Sequence, residues 1–176
     1  TTKPPLGTML YSLEMPEAGG DTLFANTALA YDALSDGMKD MLDGLIGIYS
    51  AALKSSGGRA KRFEVNKSMN AKNMDQVDME AEHPIVRTHP ETGKKALYLG
   101  KGHTVRFKDM TEAESRPLIN FLSEHCVRPE FTCRFAWGVG SLALWDNRCT
   151  LHFAVDDYPG QRRRMRRLTI EGDKPV

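Results

Sequence analysis

The sequence predicts a mainly β protein with added helices, built as a sandwich or jelly roll. Strand formers dominate the last third, at Phe131 to Trp137, Ser141 to Trp145 and Met165 to Ile170. Helical periodicity is confined to two stretches, and neither an internal repeat nor a βαβ alternation appears. The chain has 176 residues, 40% of them apolar, enough for one domain with a real core, residues 1–176.

The elements follow in order. "TMLYSL" (Thr8 to Leu13) reads as a strand, and Pro16 to Gly20 supplies turn residues that end it. From Asn26, Leu29, Leu34, Met38, Met41, Leu42 and Leu45 recur at mostly helical spacing, with Ser35-Asp36-Gly37 breaking the run into two short helices. Residues 46–51 then form a strand. Residues 54–82 are polar, poorly periodic and uncapped, which predicts a long surface excursion or lid. "PIVRTHPETGKKALYLG" reads as a hairpin turning at His89 to Gly93. Thr111 opens a helix with Glu114 three residues on, a capping box, and Leu118, Phe121 and Leu122 are expected on its buried face.

Charge narrows the partners. Twenty-four basic against 23 acidic residues leave a formal charge of +1, so no overall field attracts nucleic acid or an anionic membrane. No run approaches the roughly 18 to 20 apolar residues of a membrane span, and the first residues lack the apolar stretch of a signal peptide. Cys126, Cys133 and Cys149 are odd in number and form no CxxC pair, which suggests reduced thiols and a cytoplasmic protein. The chain begins with Thr1 rather than methionine, a hint that it starts after the beginning of its gene.

Against that neutral background, five arginines crowd into Arg162 to Arg167. On a strand, Arg163, Met165, Arg167 and Thr169 share one face, and Arg162, Arg164 and Arg166 share the other. If the odd-numbered set points inward, Arg163 and Arg167 need anions, because an unpaired buried guanidinium is very costly. At about 3.3 Å per residue they stand about 13 Å apart, room for two anionic groups. A solvated basic edge strand is the plain alternative. His152 stands eleven residues ahead of Arg163, and a lone histidine is more often a packed or hydrogen-bonded structural residue than a metal ligand.

Four blocks in order, "GGDTLFAN" (Gly19 to Asn26), "HPIVRTHPETGKKALYLG" (His83 to Gly100), "WDNRCTLHFAVDDY" (Trp145 to Tyr158) and "QRRRMRRLTIEGDKP" (Gln161 to Pro175), resemble the taurine dioxygenase family, whose relatives include the aryloxyalkanoate dioxygenases. The resemblance implies a double-stranded β-helix and an Fe(II)- and 2-oxoglutarate-dependent oxygenase. That activity uses O2, hydroxylates a small anionic substrate of sulfonate or aryloxyalkanoate type, and releases succinate and CO2. Carried over by position, His152 matches the family's distal iron-binding histidine and Arg163 the arginine that pairs with the far carboxylate of 2-oxoglutarate. Thr22 matches the threonine that hydrogen-bonds that carboxylate, and Arg167 the position that holds the substrate's anionic end.

One feature departs from the family. Its facial triad is HxD plus a distant histidine, and no HxD occurs in this chain. The lone HxE, His89-Pro90-Glu91, falls in the expected turn and matches a position of the family that does not bind metal. The expectation is therefore a chain incomplete at its N-terminus, the C-terminal portion of one oxygenase domain, working as a homo-oligomer with neither nucleic acid nor membrane as partner. A remnant of this fold that binds a small anion without turnover, and a basic RNA-binding module, are the competing readings.

Overall fold

The computed structural model describes residues 2–50 and 80–176, and its elements are mostly strands with few helices. The N-terminal part holds β1 (Gly7–Glu14), β2 (Thr22–Asn26), α1 (Thr27–Asp32), α2 (Asp36–Leu42) and β3 (Ile46–Ser50). β4 (Glu80–Pro84), β5 (Val86–Thr88), β6 (Lys95–Leu97) and β7 (Thr104–Phe107) lead to the long helix α3 (Glu112–Cys126). A 3-10 turn (Pro129–Phe131) precedes β8 (Thr132–Phe135), β9 (Leu142–Asp146), β10 (Thr150–Ala154) and β11 (Arg164–Ile170). Among the described residues no helix is long and apolar enough to cross a membrane.

The strands form antiparallel sheets that join the chain's two ends. β1 is central between β11 and β9, β2 between β10 and β8, and β3 between β4 and β7, while β5 and β6 make the expected hairpin. The expected excursion at 54–82 falls on residues outside the described ones except for its last three. Glu80 to Glu82 open β4 instead, pairing with Ser50, Tyr49 and Ile48. A neighbouring strand offers their backbone groups a ladder, and that pairing overrides a polar local sequence.

α3 forms where the capping box predicts. Thr111 Oγ1 accepts from Glu114 N at 3.3 Å, and Glu114 Oε2 accepts from Thr111 N at 2.7 Å. Its buried face is Ser115, Ile119, Leu122, His125 and Cys126, spaced at three to four residues. The expectation that Phe121 lies on that face is corrected: it is 49% exposed, one position around the helix from Leu122, and stacks on His125. Ile119, Leu122 and Cys126 close the core against Ala30, Tyr31 and Leu34 of the α1 region and against Ile85, Leu97, Leu99 and Phe107.

The sheet of β11, β1 and β9 has two unlike faces. Thr8, Ser12 and Trp145 are buried on one, with Thr169, Met165 and Arg167 in register beside them. Tyr11, Leu142, Leu144, Leu168 and Ile170 are exposed on the other.

Candidate active site

Two adjoining glycines build the first part of the site. Gly19 and Gly20 have φ of +84° and +72°, a region that residues with a Cβ rarely enter. A Cβ on Gly20 would lie 3.0 Å from Arg163 Cδ, so that position is closed to side chains by contact as well as by conformation. The bend lets Gly20 O accept from Arg163 Nε at 3.0 Å, while Gly20 N donates to Asp157 Oδ1 at 2.7 Å. Asp21 and Asp157 both pair with Arg134 of β8, at 2.6 and 3.5 Å.

Arg163 is half-buried, just ahead of β11. Its Nη2 is buried and has no hydrogen-bond partner among the described residues. Such an atom forfeits hydration without replacement, a cost of several kcal/mol in general, and an anion seated there would offset it.

Thr22 begins β2 two residues after Gly20 and is 2% exposed. Its Oγ1 accepts from Trp137 Nε1 at 3.0 Å, which leaves the hydroxyl proton available to donate. Trp137 is held by an edge contact with Phe135, the cross-strand partner of Thr22.

His152 lies on β10 opposite Phe24, and Ala154 lies opposite Thr22. Directly paired residues project to the same side of an antiparallel ladder, so His152 and Thr22 share a face as diagonal neighbours. His152 is exposed, with the Trp145 ring 4.9 Å away at 51° and Phe24 5.2 Å beyond on Trp145. Trp145 itself is 8% exposed, and its Nε1 has no partner among the described residues. The sheet of β1, β9 and β11 and the sheet of β2, β8 and β10 thus meet at the Trp145–His152 contact.

Arg167 pairs with Leu10 on the Trp145 side of its sheet, as strand parity requires, but it is exposed rather than buried. The inward burial expected of it therefore stops at Met165. Arg162 and Arg164 are exposed and pair with Glu14 on the neighbouring strand, at 3.5 and 3.8 Å.

Below the site lies an ion network that sequence reasoning did not anticipate. Arg148, 6% exposed, donates from Nε and Nη2 to Asp146 and from Nη1 to Glu91. His89 Nε2 meets Asp146 Oδ2 at 3.0 Å. Burial works against the charged form of Asp146, but hydrogen bonds from Arg148 and His89 outweigh it and bring its pKa down to about 2. The network closes the turn between β9, which carries Trp145, and β10, which carries His152, as the chain passes from one sheet to the other. His89 and Glu91 of the HxE motif serve here, in the turn expected for them.

One group of three potential metal ligands comes together among the described residues, His89, Asp146 and Cys149, and His152 is not part of it. Asp146 already accepts from Arg148 through both oxygens, which makes this group an ion-paired strut. His152 offers one nitrogen ligand beside a buried aromatic wall, Thr22 offers a hydroxyl donor on the paired strand β2, and Arg163, held at Gly20 ahead of β11, offers a charged one. Arg163 and Thr22 are donors suited to a carboxylate, and His152 is one nitrogen of the kind a metal takes.

The described geometry agrees with what related proteins are. A family model for "Taurine catabolism dioxygenase TauD, TfdA family" matches residues 1–169. An alpha-ketoglutarate-dependent sulfate ester dioxygenase of Pseudomonas putida is 40% identical over 178 residues, covering 98% of this chain and 57% of the relative. An alpha-ketoglutarate-dependent 2,4-dichlorophenoxyacetate dioxygenase of Cupriavidus pinatubonensis is 33% identical over 174 residues, covering 96% and 56%. The crystal structure of a taurine dioxygenase from Burkholderia xenovorans superposes with a TM-score of 0.82 at 36% identity, covering 100% of this chain and 55% of that one. The chain thus spans somewhat over half the length of these relatives. With the four sequence blocks, the matching fold and a match over nearly all its residues, this chain belongs to the TauD/TfdA dioxygenase family.

Proposed function

We propose that this chain is the C-terminal portion of a single oxygenase domain on a double-stranded β-helix, and that the domain works as an Fe(II)- and 2-oxoglutarate-dependent dioxygenase. The substrate class is a small anionic organic molecule: a sulfate ester, a sulfonate or an aryloxyalkanoate. The observation that carries the reading is the buried Nη2 of Arg163, without a hydrogen-bond partner among the described residues, held at Gly20 two residues ahead of the buried Thr22, which shares a face of its sheet with His152.

His152 supplies a neutral imidazole nitrogen to Fe(II), and Trp145 limits the rotation of its ring. Arg163 Nη2 and the Thr22 hydroxyl bind the far carboxylate of 2-oxoglutarate. Gly20 O fixes Arg163 by taking its Nε–H, and Trp137 fixes Thr22 by donating to its oxygen. Arg167, exposed on the Trp145 side of its sheet, takes the substrate's anion. When bound, the iron couples oxidative decarboxylation of 2-oxoglutarate by O2, giving succinate and CO2, to hydroxylation of a substrate C–H bond. A hydroxyl placed beside a heteroatom yields an unstable product, so a sulfate ester would release sulfate, a sulfonate sulfite, and an aryloxy acid a phenol.

The test measures succinate formed from 2-oxoglutarate with Fe(II) and O2, against a panel of alkyl sulfates, alkyl sulfonates and aryloxyacetates. Succinate formation that needs iron and rises with one substrate class is expected, and its loss in His152→Ala follows. Iron-independent behaviour, or unchanged iron binding in His152→Ala, overturns the assignment. Arg167→Ala should lose the organic substrate while keeping 2-oxoglutarate.

A further inference from the structure

We propose that Asp157 is a positioning residue for the 2-oxoglutarate carboxylate, acting through Gly20 on Arg163. The inference rests on the reading of Arg163 given above and adds a residue that touches neither cosubstrate nor metal. Asp157 Oδ1 accepts from Gly20 N at 2.7 Å, and the carbonyl of the same Gly20 accepts from Arg163 Nε at 3.0 Å. One residue therefore has both polar backbone groups committed, one to the carboxylate and one to the guanidinium. Gly20 stands at a φ of +72°, so only its hydrogen bonds and neighbours decide which way its carbonyl points.

Packing narrows the arrangement further. A Cβ on Gly19 would lie 2.5 Å from Asp157 Oδ1 and 2.9 Å from Asp157 O. On Gly20 it would lie 3.0 and 3.1 Å from Arg163 Cδ and Nε. The two glycines thus fill the space between Asp157 and Arg163 with backbone alone. Arg134 steadies the other side of the carboxylate, with Nη2 3.5 Å from Asp157 Oδ2 and Nε 2.6 Å from Asp21. With Nε spent on Gly20, Arg163 keeps Nη2 for an anion, and Nη2 is the atom left buried without a partner among the described residues.

The test is isothermal titration calorimetry with two probes, using Mn(II) in place of Fe(II) so that no turnover occurs. 2-Oxoglutarate has the far carboxylate; pyruvate has the keto-acid end and lacks it. Asp157→Ala should raise Kd for 2-oxoglutarate roughly tenfold, the worth of one hydrogen bond to a site group, and leave Kd for pyruvate unchanged. Asp157→Asn keeps an oxygen that can accept from Gly20 N, and should restore affinity to within about threefold of the parent. Gly20→Ala, which displaces Arg163 directly, should reproduce the selective loss by a second route. Equal weakening of both probes, or no rescue by Asn, assigns Asp157 a general structural role and overturns the proposal. Arg163→Ala separates the two readings. If it weakens 2-oxoglutarate while Asp157→Ala does not, the relay fails and the carboxylate site stands; if Arg163→Ala itself has no effect, both fail.

Discussion

The two ends of this molecule are built on different principles. Where α1, α3 and the β5–β6 hairpin meet, large apolar side chains interlock: Leu42, Ile85, Phe107, Ile119 and Leu122 are all fully buried. Where β1 meets β9 and β11, and β2 meets β8 and β10, the buried side chains are small or polar, with Thr8, Ser12, Thr22 and Ala25 beside two tryptophans. Ion pairs between segments far apart in sequence hold this second region, Arg134 with Asp21 and Arg148 with Glu91, and a local pair joins Arg148 to Asp146. Apolar burial gives stability without direction. Charged and hydrogen-bonded contacts give less net stability but fix orientation, which a site for anions and a metal requires. The candidate residues all lie in the second region.

The comparison predicts that mutations at the two ends fail in different observables. Leu122→Ala should cost about 2–5 kcal/mol of folding stability, while its folded fraction binds 2-oxoglutarate normally. Arg163→Ala should cost a similar roughly 2–5 kcal/mol in 2-oxoglutarate affinity, with little change in the unfolding midpoint. Denaturant melts and calorimetry on both variants check this, and a crossed result would erase the distinction.

Acid should act on the second region first. Asp146 titrates at about 2 in the folded chain against 3.8 for an unperturbed aspartate. Its depressed pKa contributes stability that is fully present above about pH 4 and is lost as pH falls through about 2, on the order of 2 kcal/mol in all. Unfolding free energies of the parent and Asp146→Asn between pH 5 and 2 should converge, since the variant has no carboxylate to protonate there. Parallel curves would show that the Arg148 network does not stabilise the turn between β9 and β10.

Smaller effects sharpen the same contrast. Thr22→Ala removes one hydrogen bond to a charged group, roughly 1–2 kcal/mol of 2-oxoglutarate affinity. It also leaves Trp137 Nε1 without its acceptor, so a modest stability loss should accompany it. Unchanged cosubstrate affinity would confine Thr22 to supporting Trp137. Smallest of all, Arg162→Ala, Arg164→Ala and Arg166→Ala should each stay within about 0.5 kcal/mol in stability and leave both ligands' affinities alone. Sensitivity there equal to that at Arg163 would break the distinction between the two faces of the arginine run.

Much of the fold was legible in the chain. β1, the two short helices, the hairpin at His89, the capped α3 and the three late strands stand where spacing and turn residues put them. Four strands were not read: β2, β4, β7 and β10, each four or five residues long and held by pairing with strands far away in the sequence. His152 and Thr22 lie on two of these unread strands, so their roles came from resemblance and not from periodicity. Arg163 was singled out by parity, yet the strand begins one residue later at Arg164; ahead of it Arg163 is half-buried between exposed Arg162 and Arg164. Arg167 obeys the parity yet is exposed, because facing inward and being covered are separate matters.

The sequence by itself determined which residue types could do this chemistry and which local elements could form, since propensity, capping and periodicity act over a few residues. It also placed the chain in its family through four ordered blocks. Tertiary structure alone decided what surrounds each group. Asp157 reaches Gly20 across 137 positions, Trp137 reaches Thr22 across 115, and Arg163 reaches Gly20 across 143. No local rule links residues so far apart; antiparallel pairing of the first strands with the last brings them within hydrogen-bond distance, and the cost of closing those loops is met by the folded sheet as a whole.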